Sequence, residues 1–293
     1  MDNRSEIRAF LTSRRAKITP EQAGLPAYGG NRRVAGLRRE EVALLAGVSI
    51  DYYIRLERGN LSGVSESVLD ALVGALQLDE AEREHLFDLA RTAGTTSRSR
   101  RRPTQQRVRP AVQRILDAMT GAPAFVRNGR LDVLAANTLG RALYSPMYED
   151  PRRPVNMARF MFLGPRSHDF WIEWDRAAHD TVAILRTQAG RDPYDKDLTD
   201  LIGELSTRSE HFRTLWAAHN VRLHRTGVKH LHHPVVGDLD LSYEVLELPA
   251  DTGLTMLTYS AEAGTRSKEG LDLLASWAAT LEQSAPIHAP ESP

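Results

Sequence analysis

The chain contains no cysteine, which excludes disulfides, thiolate catalysis and thiol-ligated zinc or iron–sulfur sites. It has no run of eighteen apolar residues, and its start, MDNRSEIRAF, is charged where a signal peptide would be apolar. A cytoplasmic protein is the expectation. Neither G-x-G-x-x-G nor G-x-x-x-x-G-K-[ST] occurs, so no glycine loop is present to cradle a nucleotide's phosphates. Net charge is absent as well, with 38 Lys+Arg against 38 Asp+Glu. Such a balance argues against a polyanionic partner unless the charge is unevenly spread.

What is present is an ordinary globular composition, 41% hydrophobic and 26% charged over 293 residues, enough for two domains with a core in each. The most informative stretch runs from Leu37 to Gly59, LRREEVALLAGVSIDYYIRLERG. Val42, Ala43 and Leu45 fall on one side of a helix, and Gly47 can adopt the positive φ that ends it. Val48 can drop into the groove between two helices. Ser49 opens the second by accepting from an amide two or three residues on. On that helix Tyr53 and Leu56 share a face, while Ile50, Asp51, Ile54 and Arg55 lie largely off it. One face serves the protein core and the other is free for a DNA groove.

These residues resemble the repressor-like helix-turn-helix family, and more closely its MmyB-like branch of bacterial regulators. The carrying residues are Gly36-Leu37-Arg38-Arg39-Glu40-Glu41-Val42-Ala43, then Ala46-Gly47-Val48-Ser49, Tyr52-Tyr53 and Arg55-Leu56-Glu57-Arg58-Gly59. The resemblance implies a sequence-specific transcription regulator that binds an operator as a homodimer. Arg32, Arg33, Arg38 and Arg39 are expected to meet phosphate. Base readout is expected from Ile50, Asp51, Ile54 and Arg55, with Ser49 and Tyr52 at the groove edge.

Divided along the chain, the charge fits this reading. Residues 1–58 hold 11 Lys+Arg against 7 Asp+Glu, residues 59–92 hold 2 against 7, and residues 93–114 hold 7 against none. Basic charge therefore sits on the helix-turn-helix and on the segment after its bundle.

Hydrophobic spacing predicts a helix over 4–16, the helix-turn-helix pair, a helix opened by Ser65, and a fifth with Asp79, Glu80 and Glu82 in its first turn. Together they make an all-α five-helix domain over residues 1–92. Residues 93–110, TAGTTSRSRRRPTQQRVRP from Thr92, read as a basic linker.

From Ala111 the pattern changes. Val112, Ile115, Leu116 and Met119 make an amphipathic helix, and PAFVRNGRLDVLAAN reads as two strands around Asn128-Gly129. Helices are predicted at 138–144, 168–188 and 195–217. LHRTGVKHLHHP, DLDLSYEVLEL and GLTMLTYSAE return to strand character. The result is an α+β domain with an antiparallel sheet over 111–284, followed by a disordered tail at 285–293.

That order resembles the PAS-like ligand-binding domain of MmyB-like regulators. The resemblance is carried by Ala136-Asn137, Asn156 with Arg159-Phe160, Gly190-Arg191-Asp192-Pro193, Leu215-Trp216-Ala217-Ala218-His219, His233-Pro234-Val235-Val236-Gly237 and Leu248-Pro249. It implies a small apolar effector such as a fatty acid, held among Phe125, Asn137, Asn156, Arg159, Phe160, Trp216 and Tyr243, with Asn156 and Arg159 at its polar head. The alternatives are that the aromatic residues only form a core, and that Asn156 and Arg159 pair with a carboxylate of the domain. His224, His230, His232 and His233 suggest a metal site, but no H-E-x-x-H or carboxylate triad accompanies them. No metal, and no catalytic residue, is therefore expected. A protein partner in place of a ligand, or a histidine-metal hydrolase fused to the DNA-binding module, are the rival readings.

Overall fold

A computed structural model describes residues 3–25, 34–94, 106–221 and 225–284. The chain forms two compact units, one of residues 1–103 with 182–223 and the other of residues 104–181 with 224–293.

The first unit begins with α1 (Asn3–Lys17), α2 (Arg39–Leu45), α3 (Ile50–Glu57), α4 (Glu66–Ala75) and α5 (Glu80–Gly94). Each presents one apolar stripe inward. Ile7, Phe10 and Leu11 of α1 meet Val42 of α2, Tyr53 and Leu56 of α3, Leu69 and Leu72 of α4, and Leu86 and Leu89 of α5 in one core. Burial of each such side chain contributes roughly 1.5–3 kcal/mol. Ser65 stands at the N-cap of α4, but its hydroxyl pairs with Ser67 Oγ at 2.9 Å rather than with a helix amide.

The second unit contains α6 (Pro110–Ala118), β1 (Ala124–Asn128), β2 (Asp132–Ala136), α7 (Thr138–Leu143), a 3-10 turn at Ser145–Glu149, β3 (Val155–Asn156), α8 (Met157–Leu163) and α9 (Ser167–Phe170). Next, α10 (Trp174–Arg191) passes from this unit into the first, which also receives α11 (Lys196–Arg208) and α12 (Glu210–Ala217). The helix expected over 195–217 is broken because Ser209 accepts from Phe212 N at 3.1 Å and so caps a new helix. β4 (Thr226–His233), β5 (Gly237–Glu247), β6 (Leu254–Ser260) and α13 (Arg266–Ser284) complete the second unit. α13 follows β6 where the sequence pattern predicts no helix.

All strand pairs are antiparallel, in the order β3-β2-β1-β6-β5-β4. At the Asn128-Gly129 turn, Asn128 Oδ1 accepts from the amides of Arg130 and Asp132, both at 3.0 Å, and Leu131 takes a φ of 68°. β5 alternates strictly, with Leu239, Leu241 and Tyr243 inward and Asp238, Asp240, Ser242 and Glu244 outward, as expected of a strand with one solvated face. Val112 and Leu116 of α6 pack on Ala124, Val126, Leu254 and Met256. Register places Phe125, Arg127, Leu257, Tyr259 and Tyr243 on the opposite face. There α13 approaches so closely that a Cβ on Gly270 would lie 2.6 Å from Leu239 Cδ2.

Candidate functional site

Gly47 has a φ of +64°, and the amides of Gly47 and Val48 bond back to Leu44 O and Ala43 O at 3.2 and 3.0 Å, closing α2. Ser49 Oγ accepts from Tyr52 N at 3.2 Å and starts α3. This cap sets the rotation of α3, whose Tyr53, Leu56 and Glu57 are buried. Ile50, at 49% exposure, stands outward with Asp51 and Arg55, while Tyr52 and Ile54 are half-buried. The Arg55 guanidinium lies 5.0 Å from the centre of the Tyr52 ring, a contact that orients it along the helix.

Behind this surface Glu57 is almost wholly buried and accepts from Arg15 Nε at 2.6 Å and from Arg39 Nε. Arg39 remains half-exposed, so its guanidinium is held at the amino end of α2 rather than free to swing. Arg38 is exposed, with Nη1 3.3 Å from Glu40 Oε1, and its amide donates to Glu41 Oε2 at 2.6 Å. Glu57 as a common anchor for two arginines was not visible in the sequence, because its partners come from residues 15 and 39. Gly59, with φ +93°, ends the motif where a Cβ would meet the Arg4 backbone at 2.5 Å. Arg32, Arg33, the linker arginines at 98 and 100–102 and the 285–293 tail lie outside the described residues.

Of the residues expected at a ligand, Phe125, Asn137, Asn156, Arg159, Phe160 and Tyr243 belong to the second unit. Phe125 is buried against Tyr144, with ring centres 5.5 Å apart, and against Tyr259. Tyr243 stands next to Tyr259, and Phe160 packs on Phe170 at 5.6 Å. Trp216 belongs to the first unit, where it stacks on Phe212 and lies 4.0 Å from the Arg186 guanidinium.

Asn137 caps α7. Its Oδ1 accepts from Gly140 N and Ala124 N, and its Nδ2 donates to Met119 O and Ala122 O. Asn156 caps α8 through Arg159 N and donates to Asp132 Oδ1 at 2.8 Å and Arg130 O at 2.9 Å. Its amide thus pairs with a carboxylate of the domain, the alternative to a ligand head. Arg159 is half-buried, and its charge helps hold the Asp150 carboxyl below the ordinary carboxylate range, after the hydrogen bonds Asp150 receives from Arg152.

Arg127 is a further candidate that no motif marks. It is 5% exposed, on the aromatic face of β1, and its one described side-chain hydrogen bond is from Nη1 to Met157 Sδ at 3.9 Å. Burial lowers its pKa. Lys229, whose ammonium lies 5.1 Å from the Tyr243 ring centre, is paired instead with Asp180 at 3.2 Å. An arginine flanked by valine and asparagine in a short strand carries no sequence signal of this burial.

On the far face of the sheet His230 and His232 pair with Asp240 and Asp238 at 2.6 and 2.5 Å. His233 points inward, its Nε2 donating to Ala142 O at 3.0 Å. His224 lies outside the described residues. Among the described residues no three His, Cys, Asp or Glu side chains converge as metal ligands, and no helix is long and apolar enough to cross a membrane.

The capped α3 with its outward Ile50, Asp51 and Arg55, joined to a sheet-and-helix domain, defines a helix-turn-helix DNA-binding transcription regulator. A helix-turn-helix domain model matches residues 9–86, and the model of the MmyB-like transcription regulator ligand binding domain matches residues 108–274, more than half of the chain. The chain belongs to the MmyB-like transcription regulators. Both matched domains are those of a transcription regulator. No curated protein matches the chain.

Proposed function

We propose that this regulator binds its operator as a homodimer and responds to a small apolar effector of the fatty-acid type. The observation that carries the DNA side is the outward row Ile50, Asp51 and Arg55 on a helix whose opposite face is locked into the core. Support for the effector comes from the matched ligand-binding segment at 108–274 and from the buried aromatic face of the sheet. A repressor-like dimer must hold its recognition helices about one DNA turn apart, roughly 34–36 Å. The interface that holds them there is proposed to come from the segment matched as ligand-binding domain. We place the protein in the cytoplasm, with the chromosome it would bind.

An effector acts only through unequal affinity for two arrangements, and a differential of 1–3 kcal/mol changes DNA affinity about 5- to 150-fold. Native mass spectrometry of protein purified without detergent tests this reading. A bound apolar acid is the expected result, an empty chain favours gating by a protein partner, and a stoichiometric metal favours the hydrolase reading. Light scattering of the DNA complex tests the dimer, which a single chain per operator would rule out.

A further inference from the structure

We propose that Arg127 is the anion-recognising residue of the ligand-binding domain, its buried guanidinium taking the carboxylate of an amphipathic monoanion. The proposal rests on the apolar-effector reading and adds the residue that reads the head group.

Arg127 sits inside the second unit with 5% exposure, and among the described residues no carboxylate lies within ion-pair distance of it. A buried guanidinium without a counter-charge bears a desolvation penalty that only an anion in the same dry site offsets. The side chains around it do not supply that anion. Met157 Sδ, at 3.9 Å, is a neutral and weak acceptor. The phenols of Tyr144 and Tyr259 are pushed further from ionisation by burial and stay neutral. The other buried cation on this face, Lys229, already has Asp180.

The hydroxyls of Tyr144 and Tyr259 bond to each other. One O–H hydrogen is used in that bond, so the accepting phenol keeps its own hydrogen to donate. Arg127 and Tyr259 share one face of the sheet, so that face carries one uncompensated positive charge and one O–H donor, which matches a carboxylate and not an alcohol, an amine or a neutral lipid. Phe125, Phe170 and Trp171, packed around Tyr144 at ring distances of 5.4–6.2 Å, supply the apolar surface for its body. Asn156 is committed to capping α8 and to Asp132, and does not compete for this role.

The test is calorimetric titration of the full-length, lipid-stripped protein with straight-chain carboxylates of eight to sixteen carbons and with the primary alcohols of the same lengths. Wild type, Arg127→Met and Arg127→Lys are compared. Wild type is expected to prefer the acid over the alcohol of equal length by about 10-fold or more, the scale of a charge-assisted hydrogen bond in a dry site. Arg127→Met should abolish that preference while leaving alcohol affinity within about 2-fold, and Arg127→Lys should keep part of it. Thermal unfolding of the ligand-free proteins gives a second readout, in which Arg127→Met melts no lower than wild type because it loses an unpaired buried charge. Equal affinity of wild type for acid and alcohol, or a preference that survives in Arg127→Met, overturns the assignment and leaves the apolar-effector reading standing. Failure of every acid and alcohol to bind overturns both.

Discussion

Arg186 and Glu6 form an ion pair across 180 residues of sequence, with the arginine side chain wholly buried and the glutamate 4% exposed. Arg186 also donates to Trp216 O and lies 2.8 Å from His219 Nδ1. Nearby, Arg191 Nε binds Asp88 of α5 at 3.1 Å, and a Cβ on Gly190 would strike the His85 ring at 2.7 Å. The end of α10 and helices α11 and α12, part of the segment matched as ligand-binding domain, therefore share a compact unit with the DNA-reading helices.

Removing one member of a buried pair leaves the other charged and unpartnered, which costs about 3–5 kcal/mol, whereas replacing both by apolar groups is far milder. Glu6→Leu and Arg186→Met are each expected to destabilise the protein by that order, and the double variant by markedly less than the sum of the two single changes. Urea denaturation of the three variants measures this. Additive losses would show that the two residues do not act as a pair.

The neighbour of this pair governs a pH response. Burial lowers the pKa of His85, and its two ring nitrogens lack hydrogen-bond partners, with Glu6 Oε1 3.9 Å from Nε2. Its surroundings are Glu6, Arg186, Asp88 and the Phe10 ring. Burial likewise lowers His233, in the other unit. A histidine whose folded pKa is depressed stabilises the fold above the unfolded value of about 6.5 and loses that contribution as pH falls. Each such group takes up a proton only on unfolding, giving about 1.4 kcal/mol per pH unit below that point. Glu6 acts elsewhere on the scale. Burial opposes its ionisation, but His219 and Arg186 outweigh this and hold its carboxyl far below the ordinary range, so its contribution is lost only in strong acid. Stability measured between pH 7 and 5 should fall, and His85→Leu should remove about half the slope. An unchanged slope would assign the response to other groups.

The local elements were legible because their signals are local. Gly47 and Ser49 mark the turn and cap, Tyr53 and Leu56 mark the inward face, and the alternation from Leu239 to Tyr243 marks β5. What was not legible depends on partners distant in sequence. The placement of 182–223 with the first helices follows from Arg186 meeting Glu6 and Gly190 meeting His85, contacts that no spacing encodes. Trp216 lies beside Arg186 in the first unit, a neighbour that no spacing in its own segment encodes. Arg127 resembled any strand arginine until register placed it on the aromatic face.

Arg39 is expected to act on DNA through phosphate. It stands half-exposed at the start of α2, where helix amides also favour an anion. Arg39→Ala should weaken binding to specific and non-specific DNA alike and reduce the salt slope by roughly one unit. Because Arg15 still holds Glu57, the variant should remain folded. Binding isotherms at several salt concentrations decide it, and a loss confined to the operator would reassign Arg39 to base readout.

Asp51 separates reading from mere stabilisation. It is exposed in the first turn of α3, where any carboxylate favours the helix dipole by about 0.3–1 kcal/mol. Facing a base edge, it would also accept from a cytosine amino group, with the outward Ile50 beside it and Arg55 one turn on reaching guanine or phosphate. Removing a base-reading group costs roughly 1–3 kcal/mol at the preferred site and relaxes one operator position, while removing a dipole partner lowers stability and leaves the preferred sequence intact. Binding selection with Asp51→Ala, run beside wild type, is expected to return an operator degenerate at one position in each half-site. An unchanged operator together with a slightly lower melting temperature would make Asp51 a helix-start residue only, and would leave Ile50 and Arg55 as the readers.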